Sequence, residues 1–332
     1  MSPRPYGVLA MSRYARDFAL TPAVMDRLTA FADVDARLLV SDFAKHSDVV
    51  ARADFLLTGW GSPRVTDAVL EAAPRLRLIA HSAGTVKIHL SDAVWRRGIA
   101  VTSAAPANAV PVAEYTRAAI LLARKRAFTA AAKYLVDGFP TQKDGTEWGY
   151  SGTTIGVVGG SLIGKLVLEL LRGYDMELLL ADPFKTDEEA RELGATRVSL
   201  EELCRRSDVV SIHAPALPST HHLIDENHLS LMRDGAVLIN TARGSLVDHD
   251  ALVDHCRAGR IDAVLDVTDP EPLPANHPLL LLPNVTVTPH LAGAIGSEVA
   301  TLGDYAVEET RRFFAGEPLR NQIRIGDLST VA

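Results

Sequence analysis

The sequence predicts an α/β protein built on doubly wound parallel sheets, and three observations carry that prediction. Short apolar runs alternate with helical stretches along most of the chain, as strands covered on both faces require. A glycine-rich turn, Gly159-Gly160-Ser161-Leu162-Ile163-Gly164, stands near the midpoint between an apolar β-branched run and a helical stretch. Polar residues then gather directly after the apolar runs of the second half: Asp182, His213, Thr241, Asp266 and His290. In an open parallel sheet such positions share the carboxyl edge, where ligands bind.

Size and composition narrow the class. The 332 residues suggest about two domains. A hydrophobic content of 47% is ample for buried cores, and 23% charged residues is ordinary. The net charge of −7 argues against non-specific nucleic-acid binding, which needs a basic surface. No apolar stretch approaches the roughly 20 residues of a membrane span, and the first residues lack the apolar core of a signal peptide. Cys204 and Cys256 are the two cysteines, both in helical stretches and expected to be reduced. These readings predict a soluble, cytoplasmic protein with no metal site.

Along the first hundred residues, Tyr6 to Ala10, Leu38 to Val40, Phe55 to Thr58 and Leu76 to Ala80 read as strands. Thr21-Pro22 starts a helix, because threonine caps it and proline is tolerated at the first helical position. Gly59 to Pro63 is a turn, and Val65 to Ala73 a helix. This is a small domain of flavodoxin-like character. Ala104 to Asn108 reads as a crossover, Pro111 to Arg126 as a strong helix, and 137–152 as a polar loop.

From Thr153 the alternation resumes, with strands at 153–158, 177–181, 208–212, 236–240, 261–266 and 285–288. Ser199-Leu200-Glu201-Glu202 has capping-box spacing at one helix start. After His290 the chain turns helical again, Ser297 to Phe314.

Strand, tight glycine turn, helix, strand and acid, in that order, make the βαβ unit of a Rossmann-type dinucleotide site. Gly159 makes the turn and Gly164 lets helix pack on strand, while the helix N-terminus offers N–H groups to phosphates. Ser161 stands where the middle glycine of the pattern is expected. Asp182, 18 residues past Gly164, suits the acid that binds the ribose 2′-hydroxyl. Its carboxylate would repel a 2′-phosphate, so it predicts NAD in preference to NADP.

Arg243, Glu271 and His290 form a chemical set. An arginine fork matches a carboxylate and stays charged at any working pH. Histidine is the natural general acid near neutrality. A neighbouring glutamate stabilises imidazolium and orients it. Together they suit reduction of a 2-keto acid with hydride from NADH. Each also has a plain structural reading, as a turn arginine, a solvated carboxylate between Pro270 and Pro272, and a strand-end cap.

With these residues in place the chain resembles the NAD-dependent D-isomer-specific 2-hydroxyacid dehydrogenases, the family of phosphoglycerate, glycerate and hydroxypyruvate/glyoxylate enzymes. The matching motifs are Thr154 to Gly159 with Gly164 and Asp182, His213-Ala214-Pro215, Asn240-Thr241-Ala242-Arg243-Gly244, Leu265-Asp266-Val267, Pro270-Glu271-Pro272-Leu273 and Thr288-Pro289-His290. Val110 to Glu114 resembles the start of the family's interdomain helix.

The resemblance implies Arg243 as substrate clamp, His290 as acid/base and Glu271 as its partner. Leu162 and Ile163 would lie at the pyrophosphate turn and Asp266 near the nicotinamide carboxamide. His213, Pro215, Thr241, Ala242 and Gly293 complete the implied cofactor contacts, with Ser161. The loop Ser82 to Lys87 stands where the family binds the substrate carboxylate, through Ala83 and Gly84, although Val86 and Lys87 replace a common Asp-Asn pair.

It also implies a discontinuous flavodoxin-like substrate domain, 1–103 with 296–332, around a cofactor domain, 104–295, with the substrate held between them. A homodimer is the family expectation. The alternative is an NAD(H)-sensing binding protein on the same fold with little turnover, which Ser161 encourages and the intact Arg243, Glu271, His290 set opposes.

Overall fold

The computed structural model describes residues 4–137 and 149–329. Most of the loop expected over 137–152 therefore lies outside the described residues. The chain divides into two compact units, Met1–Asn108 with Ala294–Ala332, and Ala109–Gly293. It passes from the first to the second within the helix Ala105–Arg124.

The first unit holds a five-stranded parallel sheet of β1 (Tyr6–Ala10), β2 (Asp33–Leu39), β3 (Phe55–Thr58), β4 (Leu78–His81) and β5 (Ala100–Ser103). Its order is β2-β1-β3-β4-β5, the flavodoxin-like order. Side chains alternate across a strand, so one apolar run builds two cores. Val8, Leu56 and Ile79 enter one cluster, whereas Leu9, Phe55, Leu57 and Leu78 enter the other. The second cluster includes Val299, Ala306 and Val307 of the helix Val299–Ala315, which returns the chain to this unit. Buried Glu309 anchors the return, its Oε2 accepting from Thr102 Oγ1 at 3.2 Å and from the N–H groups of Arg320 and Asn321 at 2.9 and 3.1 Å.

The second unit holds a seven-stranded parallel sheet of β6 (Thr153–Val158), β7 (Met176–Ala181), β8 (Thr196–Arg197), β9 (Val209–Ile212), β10 (Ala236–Asn240), β11 (Ile261–Leu265) and β12 (Val285–Val287). The order β12-β11-β10-β9-β6-β7-β8 reverses between β6 and β9, the switch point of a doubly wound sheet. Alternation again feeds two cores: Ile155, Val157, Val237, Ile239 and Val264 line one face, Val158, Leu238, Ala263 and Leu265 the other. Cys204 and Cys256 are buried free thiols, and burial pushes both up to about 12. Among the described residues no helix is long and apolar enough to cross a membrane.

Several local expectations change. The crossover at Ala104 to Asn108, after which the second unit begins, is built as the start of the helix Ala105–Arg124, with Pro111 inside it. The alanine-rich segment has high helix propensity, and Pro111, in the second turn, forfeits the bond to Ala107 C=O and crowds that carbonyl without ending the helix. β5 and the two-residue β8 have no counterpart in the apolar pattern, and β2 begins earlier, at Asp33, because an edge strand tolerates polar residues. At Ser199 only half a capping box forms: its hydroxyl accepts from Glu202 N–H at 3.1 Å, but the Glu202 carboxylate pairs with Arg206 at 2.7 Å. Thr186 and Glu189 form both halves of one.

Candidate active site

All seven strands of the second unit are parallel, so the residues that follow them lie on one edge. The turn after β6 is shaped by close approach. Gly159 has φ +96°, and a Cβ there would sit 2.7 Å from Ala214 N. A Cβ on Gly164 would sit 2.1 Å from Gly159 O, so neither position accepts a side chain. Ser161 is different. At φ −64°, ψ 179° it is the N-cap of the helix Leu162–Leu171, its Oγ accepting from Gly164 N–H at 3.3 Å. That backbone is ordinary for an L-residue, so serine fits there without strain. Leu162 stands half-exposed at the turn and Ile163 is partly buried.

Asp182, directly after β7, is tied to this turn. One oxygen accepts from Gly160 N–H at 2.6 Å and the other from Phe184 N–H at 2.8 Å. After β9, His213 is buried rather than presented: Nε2 bonds with Ser211 Oγ at 2.8 Å, and Nδ1 has no partner among the described residues. Burial pushes its pKa down to about 3, so the ring is neutral. Pro215 is partly exposed. The His213 side chain therefore packs beneath the turn, Ala214 after it is also buried, and the chain first reaches the surface at Pro215.

After β10, buried Asn240 folds the next residues into place. Its Oδ1 accepts from Ala242 N–H at 3.0 Å and its Nδ2 donates to Arg243 C=O at 2.8 Å. Thr241 is buried and bonds with Thr116 Oγ1 at 2.9 Å. Arg243 is partly buried and Nη1 donates to Ala242 C=O at 2.6 Å. Burial pushes its pKa below the ordinary value, and the nearby Glu271 carboxylate opposes that shift. Gly244 allows this loop to meet the one after β11, since a Cβ there would lie 2.0 Å from Thr268 C.

Asp266, after β11, is buried and fully engaged. Oδ1 accepts from Thr288 Oγ1 at 2.6 Å and Leu291 N–H at 2.9 Å, and Oδ2 from Ala292 N–H at 2.9 Å. Its carbonyl accepts from His290 N–H at 2.9 Å. Because Thr288 donates to the carboxylate, its oxygen is left to accept from Tyr115 O–H, 2.9 Å away. Asp266 therefore organises the segment carrying His290 and Gly293.

His290 itself has φ +51°. Its Nδ1 lies 2.6 Å from Glu271 Oε1, both side chains being about half-exposed. A carboxylate accepts only, so Nδ1 carries the hydrogen and Nε2 is the nitrogen left to exchange a proton. Arg243, Glu271 and His290 are thus brought together from the ends of β10, β11 and β12.

In the first unit the loop after β4 begins with Ser82, whose Oγ donates to Thr58 C=O at 2.9 Å. Ala83 is buried, Gly84 partly exposed, and Val86 belongs to the apolar core. Asn240, Gly244, Thr288 and Tyr115 were not singled out as site residues. The first three stand inside the recognised motifs, whereas Tyr115 carries no local signal.

Residues 118–292 match the family described as D-isomer specific 2-hydroxyacid dehydrogenase, NAD binding domain. A D-3-phosphoglycerate dehydrogenase of Methanocaldococcus jannaschii is 32% identical over 278 residues, covering 83% of this chain and 52% of that protein. A glyoxylate reductase of Korarchaeum cryptofilum is 36% identical over 259 residues, 75% of this chain and 76% of that one. The structure of D-lactate dehydrogenase from Aquifex aeolicus complexed with NAD and lactic acid superposes with a TM-score of 0.72 at 27% identity, covering 96% of this chain and 98% of that one. The chain spans about half the length of the phosphoglycerate dehydrogenases it matches. With a fold, a motif order and a sequence in common, the chain belongs to the D-isomer-specific 2-hydroxyacid dehydrogenase family.

Proposed function

We propose that the chain is an NAD-dependent oxidoreductase that moves hydride between NAD(H) and a small D-2-hydroxy acid or its 2-keto acid. The observation that carries this reading is the Glu271–His290 hydrogen bond of 2.6 Å on the strand ends beside Arg243. The residues at the β6 turn fit a dinucleotide, because Gly159 and Gly164 let the turn close tightly ahead of the N-terminus of the helix Leu162–Leu171, where backbone N–H groups receive phosphate. When bound there, the nicotinamide supplies or accepts the hydride.

Arg243 holds the substrate carboxylate and carbonyl oxygen with its planar fork. In the first unit the backbone at Ala83 and Gly84 is the proposed second contact for the carboxylate. His290 Nε2–H gives its proton to the alkoxide oxygen as reduction proceeds, and Glu271, accepting from Nδ1, fixes the ring. In the reverse direction Nε2 takes the hydroxyl proton.

The same reading assigns 104–295 to the cofactor and 1–103 with 296–332 to the substrate. Leu162, Ile163, Ser161, Pro215, Thr241, Ala242, Asp266 and Gly293 are proposed around the cofactor, with the backbone at His213. It proposes a cytoplasmic homodimer, a state that light scattering measures.

The decisive experiment mixes the purified protein with NADH and a panel of glyoxylate, hydroxypyruvate, pyruvate and bulkier 2-keto acids. NADH oxidation on at least one is expected. Binding of NADH without oxidation on any of them would refute the enzyme reading in favour of nucleotide sensing. Preference for NAD over NADP is assigned to Asp182: Asp182→Ala should raise NADPH use relative to NADH, and an unchanged ratio removes that role.

A further inference from the structure

A lysine lies over the glycine-rich turn, and the proposed chemistry does not use it. Lys185 stands three residues past Asp182, and its aliphatic stem crosses Gly160. A Cβ at Gly160 would lie 3.1 Å from Lys185 Cγ and 3.5 Å from Cε. The ammonium pairs with Glu189 at 2.8 Å, and the side chain is 18% exposed. The Asp182 carboxylate and the Lys165 side chain, from the start of the helix Leu162–Leu171, are also neighbours of that ammonium. Glu189 holds Lys185 in its charged form. Two cations brought together cost energy unless anions accompany them, and here Glu189 and Asp182 do so.

The turn itself gives a reason for cations. A helix start has free N–H groups that receive a phosphate. Here the Ser161 hydroxyl takes the Gly164 N–H, and Asp182 takes the Gly160 N–H. Two backbone donors of the turn are therefore turned toward the protein's own side chains. A pyrophosphate, with two negative charges, meets fewer free donors than the full glycine pattern provides, and a side-chain cation restores the balance.

We propose that Lys185 binds a phosphate of the dinucleotide, its ammonium leaving Glu189 for a pyrophosphate oxygen. The proposal rests on the NAD reading given above. A 2′-phosphate offers the same chemistry, but the Asp182 carboxylate stands beside Lys185 and disfavours it there.

The test is equilibrium titration with NADH and with NADPH, followed by nucleotide fluorescence without any keto acid. Lys185→Met keeps the stem over Gly160 and removes the charge. It should raise the Kd of both nucleotides by a common factor of roughly three to ten, as loss of one solvent-screened charged contact does. Lys185→Arg should recover most of that loss. Glu189→Gln keeps the helix-capping acceptor while removing the competing charge, and should tighten NADH. Unchanged NADH affinity in Lys185→Met, or a loss confined to NADPH, overturns the proposal. Failure of the wild type to bind NADH overturns it together with the NAD reading. A protein that binds NADH normally but oxidises it with no keto acid refutes only the proposed reaction.

Discussion

The backbone of His290 occupies the left-handed region at φ +51°, which costs a residue with a Cβ about 1–2 kcal/mol. Three hydrogen bonds hold it there: its N–H reaches Asp266 C=O at 2.9 Å and Thr288 C=O at 2.9 Å, and Nδ1 reaches Glu271. Strain kept by so many partners is characteristic of a functional position. Replacing His290 by Gln should lower kcat by about 10²–10⁴, the usual range for a positioned acid, with NADH affinity unchanged. Equal losses in both would show a structural role instead. Ser161 admits an independent test by equilibrium denaturation. As an N-cap its hydroxyl is worth about 1 kcal/mol, so Ser161→Ala should destabilise by that amount and Ser161→Gly by only a few tenths. A neutral Ser161→Ala would mean that the 3.3 Å bond to Gly164 contributes nothing. At this scale the sequence is a good guide to which side chains come together, since Arg243, Glu271 and His290 stand out by chemical identity and the fold gathers them. It is a poor guide to burial: His213 has the same chemical promise as His290, yet it is neutral and enclosed.

Loops at strand ends convert those residues into a site, and their geometry is set by residues with no chemistry to perform. Asn240 makes two hydrogen bonds that shape the turn carrying Arg243, and Gly244 permits backbone contact with Thr268. Asn240→Ala would leave buried backbone groups unpaired, at a cost of about 1–3 kcal/mol. It should also reduce kcat/KM, because Arg243 loses its fixed direction. Thermal unfolding and steady-state kinetics on the same variant read both effects, and a stable variant with full activity would remove Asn240 from the site. The strands β1, β3, β6 and β10 were legible because they are buried on both faces and read as unbroken apolar runs. β8 was not, because a two-residue edge strand is too short for any period to show. The helix start at Ala105 was hidden by Pro111: proline announces the first turn more often than the second. Glu202 satisfied the spacing of a capping box, but Arg206 on the same helix face competes for its carboxylate and wins.

Across the whole molecule the two sheets share one construction, and each places a neutral histidine inside its own unit. His81 ends β4, is 1% exposed, and bonds through Nδ1 with Thr58 Oγ1 at 2.9 Å. Burial, with a smaller contribution from His89, pushes its pKa down to about 3. His213 follows β9 and is lowered as far, by burial alone. The unfolded chain takes up these protons near the ordinary value of 6.5, whereas the folded chain does not until about pH 3. Within that window the unfolded state binds more protons, so folding stability falls as pH falls, by about 1.4 kcal/mol per pH unit for each histidine. Above pH 6.5 both forms are neutral and the effect vanishes. Carboxylates add their own acid sensitivity, but a variant separates the contributions by slope. His213→Gln should reduce the dependence of unfolding free energy on pH between about 6 and 4 by one histidine's share, whatever it does to stability at neutral pH. The slope change is the informative quantity, since a lost contact shifts the whole curve while a lost proton site tilts it. If the tilt is unchanged, His213 is protonated in the folded chain and the neutral packing assigned to it beneath the Gly159 turn is wrong.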